Sequence, residues 1–182
     1  GKVFGGDFLS IYTFYLASPF NLFMGLVSKE AIPDFILITT ILKMSFAGLN
    51  FYLLCRFTQH KIAFSHYAFA VGYALVSYSF IYLSNYMWID GVMILPLMVL
   101  GLNLLKESKV CYLYSISLAY SLISSWYIGF MTCVFSVFYF MYLFFSDANS
   151  FKEKMPFFLR YVIYSLTGGF LGSICWLTAF LH

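Results

Sequence analysis

In "ILITTILKMSFAGL" a lysine, Lys43, stands nine residues into an apolar run that follows Asp34. In "NYMWIDGVMILP" a carboxylate, Asp90, stands between a tryptophan and a second apolar run. An ammonium group about 13 Å along a helix axis from the end of its run reaches water poorly, and a charge at that depth points to a functional site with a specific partner. For Lys43 the partner is either the phosphate of a lipid-linked substrate or a carboxylate carried inward by an outer loop; the plainer alternative is a lysine neutralised by burial or paired for structure alone. Thr39, Lys43, Ala47 and Asn50 recur at helical spacing, so Asn50 shares the lysine's face, and that face should turn into a bundle or a water-filled cavity. Asp90, beside Asn85, Tyr86 and Trp88, has the chemistry of a general base or of a ligand for a hydroxyl or a metal; it equally suits capping the free N–H groups of a helix that begins at Gly91. Asp7, after two glycines in "FGGDF", is a second candidate acid or a loop or capping residue. His66 shares a helical face with Ala70, Tyr73 and Ser77, where substrate contact or proton transfer competes with hydrogen bonding between helices.

These residues sit in a chain whose solvent is mostly lipid. Its 182 residues are 63% hydrophobic and 9% charged, against the roughly 25% charged residues of a soluble domain. Apolar runs of about 20 residues, the length that crosses a bilayer, recur along it. They predict an all-α, polytopic transmembrane helical bundle of about six spans, near 34–55, 62–83, 91–105, 110–125, 129–145 and 157–181. Seven of the ten basic residues, Arg56, Lys61, Lys106, Lys109, Lys152, Lys154 and Arg160, fall on one set of alternate loops, which places 56–61, 106–109 and 146–156 in the cytoplasm. Residues 1–33, 84–90 and 125–129 are then outside, and Trp88, Trp126 and Trp176 fall near that outer boundary.

Residues 8–27 are apolar, but Ser18-Pro19 divides them, which predicts two outer-surface juxtamembrane helices; a kinked seventh span is the alternative. Domain organisation is therefore an extracytoplasmic loop over 1–33 followed by a helical bundle over 34–182, read as a slice of a longer protein. Cys55, Cys111, Cys133 and Cys175 have no CxxC pairing or zinc-ligand spacing and read as small apolar helix residues. A net charge of +3 from scattered basic residues indicates no nucleic-acid partner. No cofactor is indicated, and a divalent metal is left open.

Four strings, "GGDFLSIYTFYLASPFNL", "LKMSFAGLNFYL", "NYMWIDGVMILPLMVLGL" and "ISSWYIGFM", in that order, resemble the YfhO family of bacterial membrane proteins. The resemblance runs through nearly the whole chain and covers an early part of that longer family. It implies the architecture of GT-C glycosyltransferases in the bacterial plasma membrane, with an outer active site that takes sugar from a polyprenyl-phosphate donor and adds it to a cell-wall glycopolymer such as teichoic acid. Under it, Asp90 matches the acid of an "MW-aliphatic-D" string, Asp7 and Lys43 also fall in matched strings, and Lys43 would suit the carrier phosphate. The first span and principal acid of such an enzyme are expected before Gly1, so this fragment alone is expected to be inactive. On the residues themselves a transporter or flippase of a lipid-linked or amphipathic solute accounts equally well for a buried lysine and polar helix faces. The resulting candidate set is Asp90 and Asp7 for catalysis and Lys43, Asn50, Asn85, Trp88 and His66 for substrate binding.

Overall fold

The structure, a computed structural model, describes residues 17–59, 64–81, 83–107, 112–146 and 151–181, without the side chains of 83–84 and 174–181. Among these residues every regular element is a helix. A 3-10 helix over Pro19–Leu26 and a short one over Lys29–Ala31 lead into α1, Ile32–Gln59. There follow α2 (Phe64–Ala74), α3 (Ser77–Ile81), a 3-10 turn over Leu83–Trp88, α4 (Ile89–Lys106), α5 (Tyr112–Ser124), α6 (Trp126–Ser146) and α7 (Phe151–Leu181). Asp7 and the first of the two expected surface helices lie outside the described residues.

Pro19 occupies the start of its 3-10 helix, where its fixed φ is an asset and its missing N–H costs nothing, and Ser18 before it is extended (φ −56°, ψ 130°). The second of the expected segments thus begins at Pro19. In α1, Pro33 and Asp34 fall in the first turn, which suits a residue without an N–H and an acid near free backbone donors.

Helix α4 is the centre of the bundle. It packs against α1 on one side and α5 on another, α2 lies on α1, α7 lies on α5, and α6 leans on α4, α5 and α7. The main apolar core, with Met98, Leu102, Tyr114, Leu118, Phe140 and Tyr161, joins α4 through α7. Close approach relies on missing side chains: a Cβ on Gly101 of α4 would stand 2.6 Å from the backbone nitrogen of Tyr114, and one on Gly168 of α7 would stand 2.9 Å from the Ser115 carbonyl oxygen. Small residues that let backbones meet are what helix packing in lipid depends on.

Among the described residues, three stretches, Lys29–Gln59, Asn85–Lys106 and Trp126–Ser146, are long and apolar enough to cross a membrane. The expected second span is not one helix. It stops at Ala74, turns through Leu75 and Val76, and resumes as α3 before the 3-10 turn. No proline or glycine pair lies at this break, and the chain beyond it brings Asp90 beside Lys43, eleven residues along α1 from its first residue. The first part of α1 thus overhangs the head of α4 by about 16 Å. Helix α5, with 13 residues, spans only about 20 Å, short of the roughly 30 Å of a hydrocarbon layer.

Pro96 lies within α4 and cannot donate to the Val92 carbonyl four residues earlier. The hydroxyl of Tyr73 from α2 donates to that carbonyl at 2.8 Å, and one residue on, the Asn50 amide of α1 donates to the Met93 carbonyl at 2.7 Å. Neighbouring helices thus satisfy the backbone around the proline, as a helix in lipid requires.

Candidate functional site

The face predicted for α1 is buried throughout: Thr39, Lys43, Ala47 and Asn50 are each at most 8% exposed, and Lys43 is fully enclosed. The lysine meets a carboxylate. Its Nζ donates to Asp90 Oδ2 at 2.8 Å, and both side chains are buried, at 0% and 1% exposure. The other carboxylate oxygen, Oδ1, accepts the Tyr120 hydroxyl of α5 at 2.7 Å. Nζ also lies 3.4 Å from the Tyr86 carbonyl oxygen, with the rings of Tyr86 and Phe20 centred 5.1 and 5.4 Å away. Opposite charges at contact, a charge-assisted hydroxyl and two π faces together offset the desolvation that either charge alone would suffer.

Of the two partners weighed for Lys43, the inward-carried carboxylate is the one present. Helix α4 begins at Ile89 rather than Gly91, so Asp90 lies inside its first turn, where the free N–H groups favour a negative charge. Both its oxygens are engaged by side chains of other helices, which makes the residue a junction between α1, α4 and α5.

The remaining candidates distribute around this junction. Asn85 marks a kink in the 3-10 turn (φ −108°, ψ 53°). Its neighbour Tyr86 donates its hydroxyl to Asn21 Oδ1 at 3.2 Å, which ties the turn to the Pro19–Leu26 helix. Trp88 sits 6.1 Å from the ring of Tyr127 and lines an apolar groove of about 310 Å³ with Tyr73, Gly91, Val92 and Ile128. Asn50 lies seven residues, about 10 Å, further along α1, and its amide binds the α4 backbone. His66 is not brought to the cluster. Its Nε2 meets Gln59 Oε1 at 2.7 Å, sixteen residues and about 24 Å along α1 from Lys43.

Tyr120 and Phe20 are members of the cluster that residue spacing does not single out, whereas Tyr86 joins it as the neighbour of Asp90 noted in the sequence. In "SLAYSLIS" Tyr120 reads as one more amphipathic ring in an apolar helix; only its position thirty residues after an acid, brought close by folding, gives it a partner. Among the described residues no three His, Cys, Asp or Glu side chains converge as metal ligands.

Comparison with curated proteins and with solved structures finds no match. The model of one family, described as bacterial membrane protein YfhO, matches residues 2–182. With buried polar junctions between long apolar helices and a family match over nearly its full length, the chain belongs to the YfhO family of bacterial membrane proteins.

Proposed function

We propose that this chain forms part of the donor-binding region of a membrane glycosyltransferase that moves sugar from a polyprenyl-phosphate carrier to an extracytoplasmic glycopolymer such as teichoic acid, at the outer face of the plasma membrane. The observation that carries the reading is the fully buried Lys43–Asp90 contact at the head of α4. A carboxylate and a phosphate present similar anionic oxygens to an ammonium group, so a carrier phosphate can replace Asp90 on Lys43. Asp90, relieved of its cation, has a carboxylate oxygen free to accept a proton from the acceptor hydroxyl. The hydroxyl oxygen then attacks the anomeric carbon, the bond from that carbon to the phosphate oxygen breaks, and the electron pair departs on the phosphate beside Lys43. Tyr120 orients the carboxylate. Asp7 is a further candidate acid for the same outer site, and Trp88 and Asn85 border it.

The test uses the full-length protein in nanodiscs with a radiolabelled polyprenyl-phosphate sugar. Lys43→Met with Asp90→Asn removes both charges together and avoids leaving one buried alone. The expected outcome is a folded protein that has lost transfer and binds the donor at least tenfold more weakly. Transfer at the wild-type rate by that double variant would return the pair to a structural role, and donor movement across the bilayer without transfer would favour the transporter reading.

A further inference from the structure

The Pro19–Leu26 segment lies beside the Lys43–Asp90 pair. Phe20 lays its ring toward the ammonium, and Asn21 accepts the hydroxyl of Tyr86, whose carbonyl and ring flank the lysine. Ser18, at the root of the segment, is 1% exposed, while Leu22, Phe23 and Leu26 on its other side are 71%, 60% and 84% exposed. Leu37, Ile38 and Ile41 of α1 are apolar and exposed as well. Three large side chains turned outward in a protein of a membrane family have one fitting neighbour, the hydrocarbon of the lipid.

We propose that Pro19–Leu26 is a lipid-seated cover over the Lys43–Asp90 pair, held shut by Phe20 and by the Asn21–Tyr86 hydrogen bond, and that it must lift before any anionic headgroup reaches the lysine. The latch includes a neutral hydrogen bond and a cation–ring contact, each worth little net, so loosening either should shift the segment toward opening. The cover acts whether or not the site transfers sugar.

Accessibility at Ser18 tests this. In the full-length protein with its cysteines replaced by alanine, Ser18→Cys and, separately, Ser28→Cys, at an exposed position just after the segment, are reacted with a charged, membrane-impermeant thiol reagent in phosphatidylcholine nanodiscs. Ser18→Cys should react far more slowly than Ser28→Cys. Tyr86→Phe, which removes only the hydroxyl, should raise the Ser18→Cys rate by about threefold to tenfold, the loss expected for one net hydrogen bond. Phe20→Ala should raise it as well. Replacement of Leu22, Phe23 and Leu26 by serine should speed it further by unseating the segment from lipid. Equal rates at the two positions, or a Ser18→Cys rate unmoved by both latch variants, would overturn the cover; a rate unmoved by the serine variant would overturn its lipid seating. None of these readouts depends on sugar transfer, so a failed transfer assay leaves the cover standing and a failed labelling result leaves the transfer reading to its own test.

Discussion

At Asp90 a single carboxylate holds two helices to a third, and its removal exposes what the pair costs. Asp90→Asn leaves Lys43 buried without its counter-charge, and breaking one side of a buried pair costs roughly 3–5 kcal/mol. Thermal unfolding of the full-length protein in detergent should show that loss, and Lys43→Met added to it should recover most of the stability. A single variant as stable as wild type would mean that water reaches the lysine. The lysine's burial and the face it occupies were legible because helical spacing is a local property: Thr39, Lys43, Ala47 and Asn50 declare one stripe in the sequence itself. Its partner was legible only as one of two classes, a carrier phosphate or a carboxylate from a dipping loop. Tyr120 was not legible, because which hydroxyl meets which acid across helices depends on their packing and register, and no spacing within α5 encodes that. Asp90 read as either a catalytic acid or a cap for the same reason: the sequence shows its place at a helix start and hides the lysine opposite.

Between elements, the bundle depends on contacts in which one helix repairs or accommodates another. Tyr73→Phe leaves the Val92 carbonyl without the hydroxyl that replaces the N–H missing at Pro96, at a cost of about 1–3 kcal/mol. Pro96→Ala restores a backbone donor to that carbonyl, so the same tyrosine change made on the Pro96→Ala background should cost clearly less. A double-mutant cycle on unfolding free energies measures this; strict additivity would refute the repair. Packing at glycine gives a second contrast. Gly101→Ala drives a methyl group into the α5 backbone and should destabilise by about 1–3 kcal/mol, whereas Gly72→Ala meets nothing within 4 Å and should be neutral or stabilising by up to about 1 kcal/mol. Comparable losses in both variants would deny a special contact at Gly101. The long helices were legible from apolar run length to within a few residues at most ends, and their class was never in doubt. The break at Leu75–Val76 was not legible, since no proline or glycine pair marks it within the apolar run.

For the molecule in its bilayer, the basic loops predict one orientation. Single cysteines at Ser84 and Asn149 in the full-length protein should divide, with Ser84→Cys labelled from outside intact cells and Asn149→Cys labelled only after permeabilisation. The reverse pattern would invert the assignment and move the junction to the cytoplasmic side. The junction itself has a consequence for how the protein experiences an energised membrane. A single charge that crosses the whole bilayer exchanges about 2.3 kcal/mol with each 100 mV of transmembrane voltage. Lys43 and Asp90, 2.8 Å apart on neighbouring helices, carry opposite charges at nearly one depth, so the work done on one cancels the work done on the other. At rest the site is blind to voltage. It gains a voltage dependence only when the two charges separate along the membrane normal or when one is neutralised, and the electric field then acts on whichever charge is left.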